Sequence, residues 1–589
     1  MKEKLLETLG RVKEVIFRYP FVLVMAILAS AGAILMFEYS NHKALFYIYS
    51  KFTICCCLGI SLMFAMKMLS QRIGRSSMLE TAGILFLIAF YFIFPEKEED
   101  FNEVYAYIIV VTAILSHLLV SFAPFLDKKK ELSFWQYNKN LFVNIVLTGI
   151  FTGVLTGGVE LAIVAVDQLF DFNFGEKIYI ETFYVMMIFG SALVFLLFNG
   201  EGLTHLEKND EYPVILKFFT QFILIPLLLI YVVILYFYSF KILINWELPR
   251  GWVSYLILAY SIVGILALLL VHPLKEDHTK SWVRMFSKLF YYTILPLIVL
   301  LFTAIFTRIL EYGYTEPRYF VLLIALWILC IVFYFIFNKK SNIRFIPTSL
   351  FLFGFFALVF PYFNSFSVSK RSQKAELLKV LSENQLLVNN KINFQKKVND
   401  TVVNEIADKF EFLAKREQTD FLLKLVDSHN QKKYAGKKKF WLQSNNIRNM
   451  FENVNETKST DFYKLTLMSE KNFIDINGYQ YFLDLNSFNN ESEKQINGDL
   501  FYITEKFDDS ILRITLNNNE ETDFTNEINN LLNQHKHKSG NVSLPEIAFE
   551  KQLGKYRLKV IFKNLIKEKN ARNHENIYYD HAFLLIKEK

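Results

Sequence analysis

The chain has 589 residues, of which 53% are hydrophobic and 16% aromatic, more than the roughly 45–50% apolar content of a soluble domain. That excess excludes a wholly water-soluble globule. The net charge of +7 sits largely on Lys and Arg between apolar runs, where it sets topology, so it does not point to a nucleic-acid partner.

Met1 to Tyr19 reads as a basic amphipathic segment on the cytoplasmic side, with Lys2, Lys4, Arg11, Lys13 and Arg18. The run that follows, Phe21 to Phe37, is long enough to cross a bilayer and ends without a small-residue cleavage site, as in a retained first helix. A helical crossing needs roughly 20 mostly apolar residues. Runs of that kind fall at 20–37, 45–69, 80–95, 104–126, 141–170, 178–199, 214–240, 252–271, 289–310, 318–338 and 345–363.

The charges between these runs alternate in density. Dense loops hold Lys67, Arg72 and Arg75; Lys128, Lys129, Lys130 and Lys139; Lys208 and Lys217; Lys275, Lys280, Arg284 and Lys288; and Lys339, Lys340 and Arg344. Sparse loops hold Lys43, Lys97, Lys177, Lys241, Arg250, Arg308 and Arg318. Counting the N-terminal segment, the split is 21 against 7. Dense loops belong in the cytoplasm, so the N terminus is expected inside and the residues after the eleventh run outside.

The second run holds Cys55, Cys56 and Cys57, and the tenth holds Cys330. Consecutive helical residues point about 100° apart, so the triplet cannot converge on a metal ion. No cofactor, metal or disulfide framework is implied.

The fifth run carries the most polar chemistry. Gly149, Gly153 and Gly157 recur every four residues, a stripe suited to close helix packing, beside Thr148, Thr152 and Thr156. Gly158 completes a pair that predicts a bend or break. Glu160 and Asp167 then fall seven residues apart, on one helix face. Two readings fit. In one, the carboxylates line a substrate path at membrane depth, with His117 and Gln221 of neighbouring runs as further polar candidates. In the other, the helix is tightly packed, Asp167 lies at the outer interface, and one partner holds Glu160.

Around the turn after the ninth run, Arg308 can pair with Glu311 at the helix end, with Glu316 and Arg318 completing the charges. Gly313 suits the end of one helix and Pro317 the start of the next, which reads as a stapled hairpin. The chain has no phosphate loop, zinc-binding HExxH pair or serine elbow. No residue set carries a recognisable catalytic chemistry, which leans away from an enzyme.

"GWVSYLILAYSIVGILALLLVHPL" from Gly251 and "RILEYGYTEPRYF" from Arg308 resemble the DUF4153 family of bacterial membrane proteins. "FWQYNKNLF" from Phe134 and "FSVSKRSQKAELLKVL" from Phe366 are similar to further family segments. The resemblance implies a multi-pass inner-membrane protein and assigns no activity.

Residues 364–440 read as helical, with apolar faces at Leu377, Leu378 and Leu381 and at Ile406, Phe410 and Leu413. Lys432–Lys439 is a basic loop. From Asp461 the period becomes two, in "FYKLTL", "FIDINGYQYFLDL", "DLFYITEKF", "ILRITL", "YRLKVIFKNL" and "YYDHAFLLI". Asn477-Gly478 predicts a hairpin, and Asp523 a helix cap. His535, His537, His574 and His581 lack ligand spacing.

The expected molecule is therefore an α-helical polytopic membrane protein of about eleven transmembrane helices. Its segments are a cytoplasmic one at 1–19, the membrane domain at 20–363, an extracytoplasmic helical part at 364–440 and an extracytoplasmic β-rich part at 441–589. The last two form an α+β domain containing an antiparallel sheet. Two functions fit: a transporter or permease with a path near the fifth helix, or a structural or sensory envelope protein whose external domain binds a partner. The bilayer is one partner; an envelope protein or small molecule is the other expected.

Overall fold

The structure is a computed structural model that describes residues 2–126, 131–172, 174–208, 212–245, 252–275, 281–338, 341–427, 444–451, 454–455, 463–471, 473–485, 491–507, 510–535, 540–569 and 575–588. Lys128, Lys129, Lys130, Arg250, Lys280, Lys339, Lys340, Lys432–Lys439, His537 and His574 lie outside them. The chain divides into two compact units, Met1–Glu376 and Leu377–Lys589.

The first unit is helical. In chain order it comprises α1 (Lys2–Arg18), α2 (Pro20–Glu38), α3 (Lys43–Ile73), α4 (Ser76–Tyr91), α5 (Glu103–Phe122), α6 (Glu131–Phe170) and α7 (Glu176–Phe198). Then come α8 (Leu216–Asn245), α9 (Trp252–Val271), α10 (Ser281–Tyr312), α11 (Glu316–Phe337) and α12 (Phe345–Val359). The helix α13 (Ser365–Glu383) begins in this unit.

Among the described residues, nine helices are long and apolar enough to cross a membrane. α4, of 16 residues, and α12, of 15, are apolar but shorter. At about 1.5 Å per residue they reach roughly 24 Å, less than a hydrocarbon core of about 30 Å. The chain is thus a helical membrane protein: among the described residues nine of the eleven apolar runs form helices of full spanning length and the other two form the shorter α4 and α12.

Two of the long helices contain a π-helical turn, Val185–Gly190 in α7 and Phe219–Leu224 in α8. The second ends just before Pro226. Proline has no N–H to give and clashes with the carbonyl four residues back, so the widened turn accommodates it. α6 behaves differently: its 40 residues run unbroken through Gly157-Gly158, where a bend was expected.

The second unit has a helical part, with α14 (Asp400–Ala414) and α15 (Thr419–Leu425), and a sheet-rich part. In α14, Val403, Ile406, Phe410 and Leu413 are buried together with Leu377 and Leu381, as their helical spacing requires.

The strands of the sheet-rich part are β1 (Tyr463–Ser469), β2 (Tyr481–Asp484), β3 (Glu491–Ile496), β4 (Asp499–Phe507), β5 (Ser510–Leu516), β6 (Glu520–Asp523), β7 (Gly540–Leu544), β8 (Ile547–Leu553), β9 (Tyr556–Lys569) and β10 (Glu575–Glu588). Strands β6-β5-β4-β3 form an antiparallel sheet. The other sheet is ordered β7-β1-β9-β10-β2, with β8 also on β9. It is mixed, because β7 joins β1 in parallel. One edge of β9 is shared, its first half by β8 and its second by β1.

The sequence expectation fails at Asn477-Gly478. Gly478 has φ +81° and the turn forms, but among the described residues no strand leads directly into it, and β2 after it pairs with β10 and not with β1. Asp475 Oδ1 instead accepts from Asn477 N at 2.9 Å, so local bonding stands in for strand pairing. The Asn-Gly turn that does join two strands is Asn497-Gly498, between β3 and β4. Asp523 Oδ1 accepts from Thr525 N at 2.7 Å, at the start of the helix Thr525–Gln534.

Near the Asn497-Gly498 turn, Asp499 accepts from Asn517 Nδ2 and the Tyr556 hydroxyl, each at 2.8 Å, and pairs with Lys555 at 3.1 Å. Lys555 also pairs with Glu588 at 2.8 Å. Bonding from Asn517, Tyr556 and Lys555 holds the Asp499 carboxyl down at about 2. An unfolded Asp titrates near 3.9, so this contribution is fully present above about pH 4 and disappears as pH falls through 2. Asp499→Asn is therefore expected to flatten the acid limb of the unfolding curve between about pH 4 and pH 2 while leaving its neutral-pH slope alone. Acid titrations of wild type and variant that superimpose would remove Asp499 from this role.

Candidate functional site

The polar residues of α6 continue further than the glycine and threonine repeats suggest. Gln136, Asn140, Asn144, Thr148, Thr152, Thr156 and Glu160 all fall four residues apart. Side chains at this spacing form a row that drifts slowly around a helix. Asn144, Thr148, Thr152 and Thr156 are all buried.

The chain running back from α6 covers this row. Asn140 Nδ2 donates to Leu206 O at 2.9 Å, and Asn144 Nδ2 to Asn199 Oδ1 at 2.9 Å. Further along, the Thr156 hydroxyl lies 3.8 Å from Met187 Sδ, on the π-turn of α7. As the α6 number rises the partner's falls, as in an antiparallel pair. The row is therefore the seam between α6 and the segment from α7 to Leu206.

The seam is incompletely satisfied. Thr148 Oγ1, Thr152 Oγ1 and Glu160 Oε1 are buried and have no hydrogen-bond partner in the protein. A buried hydroxyl or carboxylate oxygen left in this state costs about 1–3 kcal/mol. Asp167 lies beyond, its Oδ1 accepting from Phe174 N at 2.6 Å. On the π-turn, the Ser191 hydroxyl reaches Met187 O at 2.6 Å and Ile188 O at 3.1 Å.

The opposite end of the seam is closed. Asn199 is fully buried; its Nδ2 donates to Phe195 O at 2.6 Å and its carbonyl accepts from the Tyr19 hydroxyl at 2.8 Å. Past this pair lies an open polar cleft of ≈ 690 Å³, lined by Arg18, Lys67, Gln71, Arg72, Glu201 and Glu207 among others. Arg72 pairs with Glu207 and donates to Pro124 O at 2.9 Å. Gln71 Oε1 accepts from Leu203 N at 2.9 Å.

Several expected site residues stand elsewhere. An added Cβ at Gly149, Gly153 or Gly157 would meet nothing within 4 Å, so no described part of this chain packs on that stripe. The threonine row, about 100° around the helix, takes the neighbour instead. His117 is exposed and turned onto its own helix, with Nδ1 2.8 Å from Ala113 O. Gln221 sits half-buried on the π-turn of α8. Among the described residues no hydrogen bond joins either to α6.

The outer-turn charges are also arranged differently. Arg308 and Arg318 instead lie over the Tyr312 ring, 5.8 and 5.3 Å from its centroid. Arg318 also donates to Gly313 O at 2.7 Å and Tyr312 O at 3.2 Å. The end of α10 leaves carbonyls without helical partners, and a guanidinium satisfies them better than a carboxylate could.

α13 clasps the same turn. Gln373 Nε2 donates to the carbonyls of Tyr312 and Tyr314, both at 2.9 Å, and Ser372 Oγ accepts from Tyr314 N at 2.8 Å. Glu316 is wholly buried beside this turn. The two segments "RILEYGYTEPRYF" and "FSVSKRSQKAELL" thus meet in the fold.

A family described as a domain of unknown function, DUF4153, matches residues 22–389. The chain belongs to the DUF4153 family. It is also 25% identical over 327 residues to "Uncharacterized protein PM1469" of Pasteurella multocida (strain Pm70), covering 54% of this chain and 53% of that protein. The chain thus spans about half the length of that relative. No solved structure matches it.

The DUF4153 match takes in α6, α7 and the clasped turn. Within it, sequence reasoning missed Asn140, Asn144 and Asn199, although the four-residue repeat was legible once extended back from Thr148. It also missed Lys51, which is buried in α3 and donates to Pro95 O at 3.1 Å between the rings of Tyr47 and Tyr91. A lone lysine within an apolar run was the available signal.

Proposed function

We propose that this DUF4153 protein is a transporter- or permease-like protein of the cytoplasmic (inner) membrane, with its polar path along the α6–α7 seam. The N terminus is cytoplasmic and the residues after α12 are extracytoplasmic. The observation that carries this reading is the row of buried oxygens at Thr148, Thr152 and Glu160 without protein partners. Membrane helices seldom tolerate such groups unless they serve a passage or a ligand. The π-turn facing Thr156 supports it, since π-turns inside α-helices are frequent at functional sites. The uneven loop charges support the orientation.

The full chain reconstituted in vesicles is expected to take up at least one solute from a panel of small polar compounds and ions. Glu160→Gln should reduce that uptake at least tenfold with an unchanged yield of folded protein. Undiminished uptake by the variant would exclude a path through Glu160. For orientation, a reporter active only outside the cytoplasm is expected to work when fused after Lys589; activity of a cytoplasm-only reporter there would reverse the topology.

A second reading is a structural or sensory envelope protein whose external unit binds a partner. Exposed Phe473, Ile476 and Phe482, on and before edge strand β2, favour it. Edge strands with exposed apolar residues are sites of strand addition. Capture of an envelope protein by the full chain, lost on Phe482→Asp, would support this alternative.

A further inference from the structure

We infer that the seam between α6 and α7 holds a single file of water that carries protons between Glu160 and Thr148, and that the Asn144–Asn199 pair is the plug that ends it. This deepens the transporter reading and rests on it: the passing species would be the proton. Thr148 and Thr152 are each more than nine-tenths buried, and their hydroxyl oxygens have no partner in the protein. They lie between two points where the covering segment is fixed, Asn144 against Asn199 and Thr156 against Met187. Their hydroxyls therefore belong to the seam.

The donor set selects water over a cation. Successive row residues rise about 6 Å along the axis. Two hydrogen bonds of about 2.8 Å meeting at the bent angle of a water span about 4.5 Å, so a water bridges neighbouring hydroxyls whose side chains lean toward each other. A cation with oxygen ligands at about 2.4 Å brings those ligands within about 5 Å of one another, and could be shared by at most two members of the row. Water also matches the chemistry, because a threonine hydroxyl both donates and accepts.

Such a file moves protons by relay. Each hydroxyl or water accepts one proton while releasing another to its neighbour; the Thr156 hydroxyl joins the relay by turning from Met187 Sδ to the water beside it, and the last transfer places a proton on the Glu160 carboxylate. At the other end the relay stops. The carboxamides of Asn144 and Asn199 bond directly to each other, and amides neither take up nor release protons readily near neutral pH. Beyond them lies the polar cleft around Arg72 and Glu207, so removing the plug would connect file and cleft.

Two measurements on the full chain test this, and neither needs a transported solute. The first is the melting temperature in lipid nanodiscs. Thr152→Val keeps the shape and removes the hydroxyl. In a water-filled seam the variant strips a bound water of a partner, and Tm is expected to fall by roughly 2–4 °C. In a dry seam the same change relieves an unpaired hydroxyl, and a rise in Tm or no change overturns the inference.

The second is proton entry into vesicles under an imposed potential, read by an internal pH dye. Asn144→Ala is expected to raise the rate at least tenfold over wild type. Adding Thr152→Val should return it to the wild-type level, whereas adding Thr152→Ser should not. If Asn144→Ala fails to fold, Asn144→Ser takes its place. A folded plug variant without extra proton entry, or a Thr152→Val double variant that still conducts, overturns the proton role. Solute uptake can fail while both results hold, which separates this inference from the transporter reading.

Discussion

Gly264→Ala is expected to abolish most of the folded protein. Gly264 lies in α9, and an added Cβ would stand 2.9 Å from Phe290 Cδ2 and closer still to two further ring carbons. The ring cannot step aside. Phe290 is 2% exposed, with Tyr260, Phe286 and Tyr291 packed around it at centroid distances of 5.6 to 6.3 Å. Overfilling a packed core costs about 1–3 kcal/mol where the surroundings can adjust, and here the α9–α10 contact would have to open. A loss of about 3 kcal/mol is a large share of a typical stability of about 5–15 kcal/mol. Fluorescence-detected size exclusion of the full chain would show the loss as a vanished monodisperse peak.

The controls are in α6. Gly149→Ala, Gly153→Ala and Gly157→Ala meet open space and replace glycine by a better helix former, so each should leave the peak intact or raise Tm. A loss at those positions comparable to that at Gly264 would mean that the glycine face is packed after all.

Gly313→Ala has the second largest expected effect. Gly313 has φ +72°, a left-handed conformation that costs a residue with a Cβ about 1–2 kcal/mol. The added carbon would also lie 2.8 Å from Glu376 Cγ, 2.8 Å from Ser372 Oγ and 3.0 Å from Gln373 Nε2. The two hydrogen bonds that Gln373 donates to the turn would be displaced, at about 1 kcal/mol each. The expected total is about 3–4 kcal/mol.

Gly74 isolates the backbone term. It has the same φ of +72°, but nothing lies within 4 Å of an added Cβ. Gly74→Ala should therefore cost only the left-handed penalty, and Gly313→Ala should lower Tm by roughly twice as much. Equal losses would show that α13 contributes little to holding the turn.

How far the sequence could reach differs between helices and sites. Apolar runs located every helix from α2 to α12 because a bilayer demands length and hydrophobicity, and both are written in the chain. Length alone could not separate the short α4 and α12 from the nine long helices. Hydropathy windows include loop residues such as Ile93 and Phe94, which the fold leaves outside α4. The charges of the outer turn are legible in the sequence, but the groups that its arginines meet are not. Arg308 and Glu311 are three residues apart on a helix, yet the aromatic face of Tyr312 and the open carbonyls at the end of α10 compete for the same arginines.

What the sequence by itself determined is the class of molecule, a helical membrane unit followed by a unit with a sheet-rich part, and the polar repeat on α6. Periodicity and composition act along one strand of chain, so they can be read without a partner. Only the tertiary structure decided which face of α6 is covered. Glycines and threonines repeat with the same period one residue apart, and either row could have received α7. Asn144 meeting Asn199, and Thr156 meeting Met187, settled it for the threonines. Those contacts join residues 55 and 31 positions apart, and a pairing between distant residues leaves no mark in the local pattern of either.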